Sequence, residues 1–422
     1  MSDRNPVIPQ KPDIPEKPYV TDKTAEHSKY YVPGKHAAPG KYAVPGKRFK
    51  KKRPALRALL FILTVALLFY IGIAQVLGRA PGLEWLFTVT VPYIEAEEYH
   101  FDVGRNRVFA DMRGSVAAAG SMGVQVFDAQ GYETLSELLR LSFPAISSNN
   151  GRAIVFDIGG TAVRVFSGSE ILAEINTAGS IVSASINRNG WFAVTTQEGL
   201  AVRGVVTVYD NSGREVFRFY STDGYVLSAQ VSPDNRYMAV LRLTEIGSQL
   251  VFYNLNITDP IRTFDFPGEI LLEIRYSDNR NIVAVSTQAI LSVEPEGSIS
   301  EIFGFDGSRL GSYFIGDDMF VIHLLYFGVG YSGSLKAINA DGRVLGSTLT
   351  QRDVVNISYS DGTIAVLWGD GPAFYTVDFD EIPHFDAAIP FAGVDYLLAL
   401  GNGVALAASD HSAVVVRTIA WY

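Results

Sequence analysis

One arrangement of apolar and polar positions recurs along the chain from about residue 105 onward. An apolar residue leads into a polar turn rich in Ser, Asp, Asn and Gly, and an apolar run follows. Residues Ile186 to Val194 read INRNGWFAV, Val231 to Val240 read VSPDNRYMAV, Tyr276 to Val285 read YSDNRNIVAV, and Tyr359 to Val366 read YSDGTIAV. Weaker copies begin near Ala110, Ile146, Ile315 and Leu400, so successive copies stand 36 to 45 residues apart. Short apolar runs punctuated by turn residues are strands. A period near 40–45 built from them predicts the blades of a β-propeller, each a four-stranded antiparallel sheet.

A second turn signal falls inside the units, between β-rich runs, and predicts their outer hairpins. It covers Val124–Gly131, Val208–Val216, Phe303–Leu310 and Ala337–Leu345. Small residues at Ala117–Ala119 and Ala405–Ala408 suit strands crowded near a central axis. The one competing helical signal is a turn around Leu135–Leu141. The anchors count eight units, with seven as the alternative. The eighth runs out of chain after Ala413–Ile419, so Tyr99–Val103 is expected to supply its missing strand and close the ring, removing two exposed sheet edges.

Ahead of the repeats the pattern changes. Ala58 to Leu77 are twenty residues without a charge, and Gln75 is the only strongly polar side chain among them. At about 1.5 Å per residue they cover the roughly 30 Å of a bilayer's hydrocarbon core. A core helix would show a polar face, and a signal peptide would carry a shorter apolar stretch nearer the start. An uncleaved membrane anchor is therefore expected. The predicted organisation is a disordered basic Pro/Gly/Lys tail at 1–54, a transmembrane helix at 55–78, a juxtamembrane linker at 79–94 and an extracytoplasmic β-propeller at 95–422.

Charge orients that arrangement. Residues 1–54 hold 13 Lys+Arg against 5 Asp+Glu, whereas residues 81–422 hold 20 against 39. Positive flanks stay in the cytoplasm, which predicts a cell-membrane protein with its N-terminus inside and its C-terminal domain outside. The tail repeats Val32-Pro33-Gly34-Lys35, Ala38-Pro39-Gly40-Lys41 and Val44-Pro45-Gly46-Lys47, a flexible tether by composition. The acidic outer domain disfavours nucleic acid as its partner, because phosphate binding needs clustered positive charge. The chain has no cysteine, which excludes disulfides, thiolate metal sites and a Cys nucleophile.

The turn Ser232-Pro233-Asp234 leading into Tyr237–Val240 resembles the strand-opening signature of WD-repeat-like and TolB-like propellers. Tail, span and repeats together resemble an uncharacterised Firmicutes family, a domain of unknown function, of single-span proteins with a propeller outside. That resemblance implies the fold and no activity or residue roles. The Gly-His and Trp-Asp dipeptides of true WD repeats are missing.

Signatures of chemistry are sparse. GxSxG, GxxxxGK[ST] and HExxH do not occur, and Gly328–Gly333 lies among strands with no helix following to make a phosphate cradle. Neither a sialidase-type Asp box nor the tryptophan stripes of quinone-cofactor propellers is present. His323 stands in an apolar run and reads as a satisfied strand residue. Asp317-Asp318 and Asp378, Asp380 and Glu381 read as solvated turn residues rather than Ca²⁺ ligands or acid–base carboxylates. No catalytic, cofactor-binding or metal-binding residue is assigned, and no cofactor is expected. The expected function is a non-enzymatic binding or scaffold module at the cell envelope, partnered by an envelope protein or polymer. The alternatives are a glycan- or peptide-acting enzyme using loop carboxylates, and a signal relay through the span. An acidic pocket with perturbed carboxylates converging on the axis would favour the enzyme, and a polar, shallow face with scattered arginines would favour binding.

Overall fold

The computed structural model describes residues 97–199, 201–257, 259–326, 330, 332–383 and 393–418. The predicted tail, span and juxtamembrane linker lie outside them. Among the described residues there is no helix, and thirty-one strands form eight antiparallel sheets.

The first strand, β1 (Glu98–His100), leaves its neighbours in sequence and joins the last sheet. Blade 1 is β2 (Val108–Asp111), β3 (Val116–Gly120), β4 (Gly123–Phe127) and β5 (Glu133–Leu138). Blade 2 is β6 (Pro144–Asn149), β7 (Arg152–Asp157), β8 (Ala162–Ser167) and β9 (Glu170–Asn176). Blade 3 is β10 (Ser180–Ile186), β11 (Phe192–Gln197), β12 (Gly204–Tyr209) and β13 (Glu215–Ser221). Blade 4 is β14 (Tyr225–Val231), β15 (Tyr237–Leu243), β16 (Gly247–Asn254) and β17 (Pro260–Pro267). Blade 5 is β18 (Leu271–Tyr276), β19 (Ile282–Ser286), β20 (Ala289–Val293) and β21 (Ile299–Gly304). Blade 6 is β22 (Arg309–Ile315), β23 (Met319–Leu325), β24 (Gly333–Asn339) and β25 (Val344–Thr350). Blade 7 shows β26 (Val354–Ser360), β27 (Thr363–Trp368) and β28 (Gly371–Tyr375), followed by an isolated bridge between Tyr375 and Glu381. Blade 8 is β29 (Tyr396–Gly401), β30 (Val404–Ala408) and β31 (Ser412–Arg417), with β1 outermost. All eight anchors of the repeat fall in the first strand of a blade.

Burial follows position within the blade. Second strands such as β3, β19, β23 and β27 are buried at every residue, because neighbouring blades cover both of their faces. Outer strands such as β13 and β25 mix exposed and partly buried positions, with one side toward solvent. The alanine runs at Ala117–Ala119 and Ala405–Ala408 lie in second strands, not at the axis. Contacts between first strands (β2 on β6, β6 on β10, β10 on β14, β26 on β29, β29 on β2) place those strands innermost. Ala117 and Ala119 are small because blade 2 presses on them with Ala153, Val155 and Phe166.

The core is divided into eight apolar clusters, each spanning one pair of adjacent blades. The cluster between blades 8 and 1 closes the ring. In it Tyr99, Phe101 and Val103 pack with Phe109, Phe127, Leu406 and Val415. β1 pairs antiparallel with β31, Tyr99 opposite Ala413 and His100 opposite Ser412, as the outermost pair of the blade. The expected closure is present with a shorter strand: Phe101 makes one more bond, donating its amide to His411 O at 3.1 Å, and the chain then turns toward blade 1. Ile419 lies outside the described residues.

Two further expectations are corrected. Phe303–Leu310 is not an outer hairpin, since β21 ends blade 5 and β22 begins blade 6 in a different sheet. Asp306 and Gly307 do reverse the chain, both with positive φ. Turn chemistry fixes a local reversal and not which strands pair afterwards. The helical turn at Leu135–Leu141 is strand β5 and the link beyond it. Its exposure alternates at Leu135 to Leu138, the period of a strand.

Candidate functional site

Innermost strands cannot pair across blades as a sheet, so side chains bridge them. Ser185 Oγ donates to Ala229 O at 2.7 Å, joining blades 3 and 4. Ser312 Oγ donates to Val354 O at 3.0 Å, joining blades 6 and 7. Asn356 Oδ1 and Ser358 Oγ accept from the amides of Leu397 and Ala399, joining blades 7 and 8. These four side chains are thereby satisfied, whereas Ser183 Oγ in β10 is buried without a partner.

At one end of the first strands, the turns of the repeat form a hydrogen-bonded rim. In blades 3, 4 and 5 the turn is folded by a short polar side chain of its own, the reason Asn, Ser and Asp recur there. Asn187 Oδ1 accepts from Asn189 N and Trp191 N, both at 3.0 Å. Asp278 Oδ1 accepts from Arg280 N and Asn281 N at 2.7 Å. Neighbouring turns are then tied together. Asn150 donates to Arg188 O at 3.1 Å, and Asn187 Nδ2 donates to Ser232 O at 2.7 Å.

This rim encloses a polar cavity of about 180 Å³ where the first strands of blades 2 to 5 end, with Asp317 of blade 6 beside them. Ser147, Gln230, Glu273, Arg275, Tyr276 and Asp317 are among its lining residues. Burial pushes the Glu273 carboxyl up, opposed by the Arg275 guanidinium and a hydrogen bond from Tyr313. The Tyr313 hydroxyl is raised by its own burial and by Glu273. Arg275 is committed on the blade 6 side, donating to Ile315 O at 2.9 Å and pairing with Asp317 at 3.2 Å. The Tyr276 hydroxyl is buried without a hydrogen-bond partner. Glu273 thus accepts from the Tyr313 hydroxyl and faces the Arg275 guanidinium, which also pairs with Asp317.

The family model described as a family of unknown function, DUF5711, matches residues 92–385. The chain belongs to this family. No curated protein matches the sequence. Among solved structures, the C-terminal WD40 domain of Sif2 is 11% identical with a TM-score of 0.53, over 78% of this chain and 99% of that one. Sqt1 from Saccharomyces cerevisiae is likewise 11% identical with a TM-score of 0.51, over 76% and 98%. At these identities the likeness shows the fold alone, a β-propeller.

In this DUF5711 chain the residues weighed from the sequence are not gathered into one site. Asp317 belongs to the rim through Arg275, whereas Asp378, Asp380 and Glu381 follow β28 in blade 7. His323 lies in β23 and is 2% exposed, and burial lowers its pKa, so it is held neutral. It is a strand residue but not a satisfied one, because its Nε2 has no partner. Glu273 and Tyr313 escaped sequence reading. The available signal was a carboxylate and an arginine inside the apolar run Leu271–Tyr276 of an inner strand.

A second carboxyl on an inner strand, Asp111, is pushed up from 3.8 to about 6, chiefly by burial. Amides of Arg113 and Gly114 oppose the shift, and Asp361 adds to it. A raised folded value means that stability is present below the unfolded pKa and is lost as pH rises through about 6. Asp111→Asn keeps the acceptor for Arg113 N and cannot ionise. The variant should therefore exceed the parent by about 2 kcal/mol at pH 7.5 and match it near pH 4, after allowance for solvent at the rim. Urea melts at both pH values check this; an equal difference at the two would contradict it.

Proposed function

We propose that the chain is a membrane-anchored binding module, held by Ala58–Leu77 with its propeller outside the cell. Its axial mouth would receive part of an envelope protein or polymer. The observation that carries the binding reading is the cavity at the rim. It is small, polar and built from rigid strand ends, with hydroxyl, amide, carboxyl and guanidinium groups converging from several blades. Preformed concave sites with a few convergent polar groups are where ligands bind. The anchoring reading is supported by the uncharged run and by the change of charge from basic to acidic across it.

Ser147 lines the cavity, is partly open and belongs to neither apolar cluster beside blade 2, so Ser147→Trp fills the mouth and leaves those clusters intact. The wild-type propeller, immobilised and exposed to solubilised envelope proteins and cell-wall polymer, should retain a species that the variant loses about tenfold. Equal retention by both would remove the site from the axis. Released fragments of the retained polymer would make the domain an enzyme.

A further inference from the structure

The end of the ring opposite the polar rim has a different character. There the turns between second and third strands meet the links between blades, and large apolar side chains stand in solvent. Tyr220, Tyr225, Ile246, Ile270 and Leu272, a row in chain order, are all exposed at this end of blades 3 to 5, Ile246 by 60%. Apolar side chains gathered in this way mark an interaction surface.

The row is rigid. Ser221 O accepts from Arg203 N at 2.8 Å, and Ile246 O accepts from Gly268 N at 2.7 Å. Ile270 O accepts from Thr287 N at 3.1 Å, and Gln288 O accepts from Phe305 N at 2.8 Å. Successive loops are therefore stapled side to side, and Arg203 stacks on Tyr225 at 4.9 Å. A partner would meet a surface that needs little ordering, which lowers the entropic cost of association.

Charge specifies the partner. Asp223, Glu245 and Glu269 outnumber Arg203 among these side chains, and none of the four makes an ion pair among the described residues. Beyond Ile270 the surface opens into a cavity of about 590 Å³ whose lining includes Glu269, Glu301 and Asp306, with Arg309 as its one arginine. An anionic membrane surface would be repelled, and a neutral glycan would leave the aliphatic side chains uncovered. We infer that this face docks a protein segment in which Lys or Arg stands among apolar residues. The apolar side chains cover Ile246, Ile270 and Leu272, and the cation enters the acidic cavity. The surface is separate from the axial mouth, and its occupation does not depend on what the mouth binds.

The test places the photo-crosslinking residue p-benzoylphenylalanine at Ile270 in the full chain, in the cells that make it. A matched control carries it at Ile257, exposed in the outer turn of blade 4 at the rim end. Adducts are mapped to the crosslinked peptide by mass spectrometry. The expected result is an adduct at Ile270 and not at Ile257, within a segment mixing apolar residues with Lys or Arg. Its yield should fall about tenfold when Glu245→Lys and Glu269→Lys are introduced together, with the melting temperature unchanged. If that pair unfolds the protein, Ile246→Ser replaces it with the same expected loss. The inference is overturned by no adduct, by an adduct to lipid, glycan or a second copy of this chain, or by one in an acidic segment. It is also overturned if the yield is indifferent to these substitutions.

Discussion

A propeller that begins at Gly104 should fail to fold to a soluble state, whereas one that begins at Ile94 should fold. The shorter chain lacks Tyr99, Phe101 and Val103, which are 1%, 5% and 1% exposed. Tyr99 meets Phe127 edge-on at 5.6 Å, and Phe101 meets Phe109 at 5.2 Å. At about 1.5–3 kcal/mol for each buried side chain, the loss is on the order of 5–9 kcal/mol, comparable to the whole stability of a domain. Deletion also strips the partner from β31 and leaves an open sheet edge. Solubility and melting of the two chains check the expectation, and identical melts would contradict it. A separate readout avoids the folding question. Glu98 lies opposite Val414, and opposed residues in antiparallel strands stand about 4.5–5.5 Å apart, within reach of a disulfide. In a chain without native cysteine, Glu98→Cys with Val414→Cys should oxidise to a single intramolecular bond.

Gly342→Ala should cost about 3–5 kcal/mol, a large effect for one methyl group. Gly342 sits in the outer turn of blade 6 with φ of 80°, where an L side chain is strained by about 1–2 kcal/mol. An added Cβ would also overlap the carbonyl oxygen of Ile302, in β21 of blade 5. Backbone cannot swing aside as a side-chain tip can, so blades 5 and 6 would have to separate locally. The turn has little freedom to move, since Gly342 N and Arg343 N both bond to Asn339, at 2.9 and 2.8 Å. Gly362 isolates the two contributions, with φ of 81° and nothing within 4 Å of its Cβ position. Gly362→Ala should therefore cost only about 1–2 kcal/mol. Urea melts of both variants decide this, and equal losses would show that the contact between blades is soft.

Much of the fold was legible because the same physical requirement repeats in every blade. A turn that ends an innermost strand must satisfy its own amides, and Asn187, Ser232 and Asp278 do so with short polar side chains. The clear copies in these blades set the period, and the period placed all eight first strands. The strand borrowed for closure was legible for a different reason, as an alternation of apolar and polar residues at Tyr99–Val103 with no partner nearby in sequence. Pairing across blades was not legible where the local chemistry was the same in both cases. Asp306-Gly307 and Asp341-Gly342 are alike in sequence, yet the first links two blades and the second closes a hairpin. The axial site was hidden because Glu273 and Tyr313 meet only when blades 5 and 6 are side by side. The apolar row was hidden because Ile246 and Ile270 differ from core isoleucines only in where their loops stand on the ring.

Side-specific labelling tests most directly the proposal that the propeller is anchored in the membrane and displayed outside the cell. Absence of native cysteine allows one thiol to be placed at a time. Ser28→Cys reports on the tail, and Ser169→Cys on the exposed outer turn of blade 2. With a membrane-impermeant maleimide, intact cells should label Ser169→Cys and leave Ser28→Cys untouched until the membrane is opened. Labelling of the tail and protection of the propeller in intact cells would contradict the account.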